Sequence, residues 1–130
     1  MTKDELKSRT KKFAVETIFL SEKLDKKYYN TILFNQLIRS SSSVGANYRA
    51  ACRAKSDADF AYKIKIVEEE ADESCYWLEL LVEVNENNTT DIELILKESK
   101  ELTAIFSAIA IKLKIKAQEK IDAKTINKKL

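Results

Sequence analysis

Proline is absent from this sequence of 130 residues, histidine is absent as well, and glycine occurs once, at Gly45. Tight turns and irregular strands depend on glycine and proline, whereas the interiors of long helices exclude both. These absences predict an all-α protein. Without histidine, the chain lacks the most common general base, the most common metal ligand and the usual switch near neutral pH.

Long apolar runs and cysteines are scarce too. No stretch reaches the about 18 apolar residues that span a bilayer, and no apolar run follows a basic start as in a signal peptide. Cys52 and Cys75 are too few for a zinc site and are expected to be reduced thiols. We therefore expect a soluble, cytoplasmic protein with no membrane partner, no metal, no cofactor and no evident small-molecule substrate.

Apolar residues recur at helical spacing in four segments that short polar breaks separate. The predicted helices cover about 3–24, 31–54, 57–86 and 91–120, and a basic tail covers about 116–130. Thr2 and Glu5 have the spacing of a capping box, and Asn30 is suited to cap the second helix. Because short connections make consecutive helices run in opposite directions, we expect one domain, 1–130, folded as an antiparallel up-down-up-down four-helix bundle.

The apolar positions predict which side chains form the core. In the third and fourth segments they alternate at steps of three and four, the pattern of helices packed about 20° apart. The expected core residues are Leu6, Phe13, Thr17, Leu20 and Leu24 in the first segment, Phe60, Ile64, Val67, Ala71, Ser74, Leu78 and Leu81 in the third, and Ile92, Leu96, Ser99, Leu102, Phe106, Ile109 and Leu113 in the fourth.

Charge is distributed unevenly, although the net charge is only +2. Residues 1–12 carry +3 and residues 112–130 carry +5, so the segment between them carries −6. An antiparallel bundle would gather both termini and the end of the second helix at one basic pole, which suits an anionic polymer such as RNA. The cations predicted to bind nucleic acid there are Lys3, Lys7, Arg9, Lys11, Lys12, Arg49, Arg53, Lys55, Lys112, Lys116, Lys120 and Lys124. The alternative is that these lysines only complement helix dipoles and maintain solubility.

Small and polar residues dominate the second half of the second segment. Glycine disfavours a helix interior by about 1 kcal/mol relative to alanine, so the run that contains Gly45 predicts close approach of another helix. Acidic residues are concentrated in the third segment, and such a cluster requires neutralising cations, for which Arg39, Arg49 and Arg53 are the candidates. The predicted structural polar network consists of Arg39, Ser43, Asn47, Glu70 and Glu73.

No catalytic constellation accompanies these residues. Carboxylate-bridged metal bundles use Glu-x-x-His motifs, which a chain without histidine cannot supply. The four consecutive serines, 40–43, have no base beside them that would activate a nucleophile. We therefore do not expect an enzyme.

The segment QLIRSSSSVGANYRAACRAKS, residues 36–56, resembles the signature of the four-helix bundle proteins of the 23S ribosomal RNA intervening-sequence type. The resemblance continues through EEEADE, residues 68–73, and YWLELL, residues 76–81, and covers roughly residues 10–115. Many members have glutamate where this chain has Ala50, so a role that depends on that glutamate does not transfer.

That resemblance implies an up-down four-helix bundle that assembles as a ring-shaped homopentamer and has no catalytic residues. Some members are encoded inside insertions in 23S ribosomal RNA genes, and many others by free-standing bacterial genes. A related branch is the strongly basic accessory protein of diversity-generating retroelements, which works with a reverse transcriptase. Two hypotheses follow: an oligomer that binds structured RNA or other nucleic acid through its basic pole, or a protein-binding or structural oligomer, including a reverse-transcriptase accessory role, that does not touch nucleic acid.

Overall fold

The computed structural model describes residues 1–87 and 89–129, which form four α-helices. They are α1 (Lys3–Lys23), α2 (Tyr28–Ala51), α3 (Asp57–Val84) and α4 (Thr90–Lys129). No strand occurs in the described part of the chain. The all-α prediction is confirmed. So is the capping box of α1, in which the Thr2 hydroxyl accepts a hydrogen bond from the Glu5 amide.

Every helix contributes one apolar stripe to a shared core. Phe13, Leu37, Leu78 and Phe106, one from each helix, are almost completely buried. The predicted stripe of α1 is buried throughout, and that of α3 is buried except for Phe60, which is half-buried. In α4, Ile95 is buried where Leu96 was expected, and the latter is half-buried. Because Ile95 and Leu96 are adjacent and both apolar, the pattern is consistent with two orientations of α4 about its own axis. The sequence alone does not determine which of the two residues faces the core.

Buried hydroxyl groups cross the core where the helices approach closely. The Thr17 and Ser41 hydroxyls lie 2.8 Å apart, and so do those of Ser40 and Ser74. Further along α2, a Cβ added to Gly45 would lie 3.3 Å from Thr10 Oγ1, a contact that leaves no room for a side chain without a shift. The close approach predicted from the small residues of α2 is therefore present, and α1 is the helix that approaches Gly45.

Helix α2 begins earlier than predicted. Asn30 was expected to cap it, but Lys27 occupies the N-cap position and Asn30 is buried inside the first turn. Its amide group donates to Asn85 Oδ1 at 2.9 Å and accepts from Asn85 Nδ2 at 2.8 Å. This reciprocal pair joins the start of α2 to the end of α3, and it explains why Asn30 is better used inside the helix than at its cap.

The other helix ends also differ from the prediction. Helix α2 stops at Ala51 because the Arg53 and Ala54 amides bond to carbonyls three residues back, the tightened geometry of a last turn. Cys52 therefore follows the helix and is half-buried, whereas Cys75 is fully buried. Helix α4 continues to Lys129, about nine residues beyond the expected end. Lysine, alanine and glutamine favour helix, and no glycine or proline interrupts them there.

Candidate nucleic-acid interface

The segments that carry the predicted cations meet at one end of the molecule. The Lys3 ammonium lies 5.7 Å from the centre of the Phe60 ring, which brings the start of α1 to the start of α3. Lys120 Nζ lies 2.9 Å from Asp57 Oδ2, which brings α4 to the same place. Residues 1–12, 49–60 and 112–124 are called the basic end below.

A groove between α1 and α2 opens at the basic end, and we call it the α1–α2 groove. Its volume is about 460 Å³. It is lined by Lys7, Ser8, Thr10, Lys11, Ala14, Ser42, Gly45, Ala46 and Arg49. The close contact between Gly45 and Thr10 forms its floor. This groove unites three of the predicted nucleic-acid-binding residues, Lys7, Lys11 and Arg49.

Beyond Leu113, α4 contributes nothing to the core. Every residue from 114 to 129, which we call the α4 extension, is exposed. Lysines recur every four residues, which places them as neighbours along the helix; this lysine row consists of Lys112, Lys116, Lys120, Lys124 and Lys128. It runs for about 24 Å at 1.5 Å per residue. Like charges at this spacing repel each other, so the row favours an anion alongside it.

Arg9, one of the predicted cations, forms ion pairs within the bundle. Its Nε and Nη2 donate to the two oxygens of Glu98 at 2.8 and 2.6 Å, and Nη2 also donates to Glu101 at 2.7 Å. These hydrogen bonds raise the pKa of Arg9 above its ordinary value, with the nearby carboxylate charges adding to the effect. Arg9 therefore bridges α1 and α4, and Nε and Nη2 are already engaged in these contacts.

The remaining predicted cations differ in how strongly they are paired. Lys12 lies 3.7 Å from Glu16 one turn along α1, a weak surface contact. The carboxylate of Asp57 is held by Lys120, and this hydrogen bond lowers the pKa of Asp57. Arg53 and Lys55 are exposed in the connection between α2 and α3. The basic end thus contains both paired and exposed cations.

The predicted polar network divides into two parts. Arg39 contacts both acidic residues named for it, with Nη1 at 3.4 Å from Glu70 and Nη2 hydrogen-bonded to Glu73. The Glu73 hydrogen bond raises the pKa of Arg39. Asn47 instead donates to the Ser43 carbonyl one turn earlier in α2, at 2.9 Å. Within residues 1–87 and 89–129, no hydrogen bond links this second pair to the acidic cluster.

Sequence reasoning missed an exposed apolar surface on α1 and α4. Phe19 is 57% exposed and Leu94 is 62% exposed, and both line a groove of about 330 Å³ between the two helices. Val15 and Ile18 are exposed on the same stretch of α1. We call these four residues the apolar patch. The spacing of Val15, Ile18 and Phe19, at three and four residues and outside the buried stripe of α1, was the available signal.

Metal sites and membrane spans are both missing from the part of the chain that the structure describes. No group of three or more cysteine, aspartate or glutamate side chains in the described ranges is arranged to hold a metal ion. Likewise, none of the four helices, as far as the structure describes them, combines the length and apolar character needed to cross a membrane.

Comparison with known proteins identifies relatives of the bundle. Residues 3–108 match the sequence model of a family described as 23S rRNA-intervening sequence protein. A crystal structure of a protein of unknown function from the S23 ribosomal protein family of Bacteroides thetaiotaomicron VPI-5482 is 34% identical, covering 85% of this chain and 98% of that chain, with a TM-score of 0.75. No curated protein matches the chain. The family match ends before the α4 extension begins.

Proposed function

The chain belongs to the 23S rRNA-intervening sequence protein family, and from this premise we propose that it is a non-enzymatic protein that binds structured RNA through its basic end. The observation that carries the proposal is the convergence of the α1–α2 groove and the lysine row at that end. Phosphate contacts from lysine and arginine supply most of the affinity of proteins that bind nucleic acid without reading bases. The proposed site of action is the cytoplasm.

The proposal includes an antiparallel up-down-up-down order of the helices and assembly into a ring-shaped homopentamer. The order is supported by contact pairs in which residue numbers rise on one helix as they fall on the next, as in Thr10 with Gly45 and Thr17 with Ser41. Assembly is supported by the apolar patch, since a small protein gains by covering large exposed apolar side chains. Repetition of one basic end around a ring would raise the avidity for RNA.

A second candidate function is a structural or protein-binding oligomer that does not contact nucleic acid, including a reverse-transcriptase accessory role. The apolar patch favours it, because an apolar surface suits contact with protein, and the groove that Phe19 and Leu94 line contains no residue of the basic end. In this case the lysines only maintain solubility.

Salt-dependent RNA binding separates the two functions. Fluorescence anisotropy with a labelled RNA hairpin, measured over a range of salt concentrations, should give an affinity that falls steeply as salt rises. Deleting residues 116–130 should weaken RNA binding and make the affinity less sensitive to salt. The slope of log affinity against log salt concentration should fall by about 0.7–0.9 for each phosphate that the shortened protein no longer neutralises. Replacing Lys26 and Lys27, at the turn between α1 and α2, with glutamine is the control and should change little. Salt-independent or absent binding contradicts the proposal.

A further inference from the structure

The cations of the α1–α2 groove have no acidic counterpart in it. Lys7 and Lys11 lie one turn apart on α1, and Arg49 approaches from the last turn of α2. None of the residues that line the groove is acidic, although the chain contains 21 aspartate and glutamate residues. Within the described ranges, no salt bridge joins these three cations to a carboxylate. Three positive charges around one concave surface favour an anionic occupant.

The floor of the groove leaves room for more than a simple ion. Ala14, Gly45 and Ala46 are its smallest residues, and the volume of about 460 Å³ lies within the range of small-molecule sites, about 300–1,000 Å³. A sugar joined to a phosphate fits within that volume, whereas a free phosphate would fill only a small part of it. The shape therefore favours a segment of a polymer over an isolated anion.

Ser42 favours RNA over DNA as the occupant of the groove. Its hydroxyl donates to the Ile38 carbonyl at 2.6 Å, so the hydroxyl hydrogen is engaged within α2. The oxygen keeps its acceptor capacity, and because Ser42 lines the groove, it is available to accept a hydrogen bond from an occupant. A ribose 2′-hydroxyl can donate that bond, and deoxyribose cannot. The groove is thus better suited to RNA than to DNA.

We propose that the α1–α2 groove is the subsite for a ribose–phosphate segment of RNA. The phosphate lies against Lys7, Lys11 and Arg49, and the ribose lies over Gly45 and Ala46. This inference rests on the proposed function and locates one RNA contact in the α1–α2 groove. The lysine row would contact RNA separately, on an open helix surface. The competing occupant, an acidic segment of a second copy of the chain, is an outcome of the test below.

Gly45 provides a direct probe because it is the only glycine in the chain. Full-length protein labelled with ¹⁵N-glycine gives one amide signal, which requires no further assignment. Titration with a short single-stranded oligoribonucleotide should shift this signal in a saturable way. DNA of the same sequence should shift it less, and inorganic phosphate less still. An equal, saturating response to inorganic phosphate overturns the assignment of a polymer segment, and an equal response to DNA overturns the role of Ser42.

Ala46 allows the charge of the groove to be changed without touching its cations. It is exposed, and glutamate and glutamine are both favourable in helices. Ala46→Glu should weaken RNA binding about fivefold or more relative to Ala46→Gln, which has the same size without the charge. Replacing Lys7, Lys11 and Arg49 together with glutamine should lower the log–log salt slope by about 2–3. A role in folding alone would not change that slope.

The outcomes separate this inference from the proposed function. If the protein binds RNA and loses affinity when residues 116–130 are deleted, but Gly45 does not respond and both Ala46 variants bind equally, the groove is not the subsite and the function stands. If the unaltered protein shows no salt-dependent RNA binding, both fail. If Ala46→Glu changes the molecular mass in solution and leaves RNA binding intact, the groove holds a second copy of the chain and the inference is wrong.

Discussion

Arg9 shows how the burial of a single cation decides its contribution to stability. The Arg9 side chain is 25% exposed and forms a two-pronged contact with Glu98, whereas Arg39 is 47% exposed and contacts Glu70 and Glu73 at the bundle surface. Partly buried charged hydrogen bonds contribute more than exposed ones, because water screens them less. The two arginines therefore form a natural comparison.

Replacing Arg9 with methionine should lower the free energy of unfolding by about 1–2 kcal/mol, because Glu98 then loses its partner at the α1–α4 contact. Arg39→Met should lower it by less than about 1 kcal/mol. Thermal unfolding followed by circular dichroism measures both, at about 3–5 °C per kcal/mol for a chain of this length. Equal melting temperatures for Arg9→Met and the unaltered protein would contradict the structural role of Arg9.

Substitutions of Ser40 test whether the buried hydroxyl residues stabilise the core through their hydrogen bonds or through their small size. Its hydroxyl lies 3.2 Å from the Leu37 carbonyl and 2.8 Å from Ser74, whose own hydroxyl lies 2.9 Å from the Glu70 carbonyl. Ser40→Ala therefore leaves Ser74 with a partner and should change stability by less than about 1 kcal/mol. Ser40→Val should destabilise by about 1–3 kcal/mol, since its added methyl groups meet α3. Chemical denaturation of the two variants gives the comparison.

Individual residues also show where sequence reasoning succeeds and where it stops. The stripe of Phe13 and Leu20 was predictable because helical periodicity depends only on neighbours in the chain. The pairing of Asn30 with Asn85 was not, because it joins residues 55 positions apart and no local pattern encodes that contact. The ion pair of Arg9 was not predictable for the same reason: its positive charge was visible in the sequence, but its partner Glu98 on α4 lies 89 positions away.

At the scale of the element, α4 combines a core segment and an exposed extension in one continuous helix. Its buried residues lie between Ile92 and Phe106, and the last half-buried residue is Leu113. Helices without a buried face are marginal in water. The contact of Lys120 with Asp57 is the one salt bridge that joins the α4 extension to another helix in the described part of the chain, so this pair should control its order.

The pair also gives the α4 extension a dependence on pH. The hydrogen bond from Lys120 lowers the pKa of Asp57, and the charge of Lys116 lowers it further. A carboxylate with a lowered pKa contributes fully above its unfolded-state pKa, and its contribution is lost as the pH falls through the lowered value. The order of residues 114–129 should therefore decrease in acid, below the ordinary pKa of 3.8, while it is unaffected between pH 5 and 8. Heteronuclear ¹⁵N relaxation of residues 114–129, measured from pH 8 to below pH 3.8, would follow this loss of order.

Two substitutions test the same pair at neutral pH. Asp57→Asn and Lys120→Gln both remove the ion pair, and each should reduce the order of residues 114–129 without changing the melting temperature of the bundle by more than about 3 °C. Asp57 also lies in the first turn of α3, where a negative charge favours the helix dipole, so only Asp57→Asn should loosen the start of α3. An α4 extension as ordered in both variants as in the unaltered protein would show that the contact is not what orders it.

At the scale of the whole molecule, the two surfaces of interest lie on different parts of the bundle. The basic end gathers positive charge, and the apolar patch occupies the second half of α1 and the start of α4. An interface centred on Phe19 and Leu94 would leave the α1–α2 groove open, because these two residues line the separate groove between α1 and α4. Self-association and RNA binding are therefore compatible, and substitutions on one surface should leave the other intact.

Phe19 is the residue on which this separation can be tested. Phe19→Glu places a charge at the centre of the apolar patch, where it would be buried without a partner in any interface that covers the patch. We expect the unaltered protein to have the mass of a pentamer by light scattering and Phe19→Glu to have a lower mass with unchanged helix content. Ile126→Glu, an equally exposed apolar position on the α4 extension, is the control and should keep the larger mass. Because a monomer has a single basic end, Phe19→Glu should also weaken binding to a long RNA much more than binding to a short one. A monomeric mass for the unaltered protein would remove both the ring and the avidity that the ring supplies.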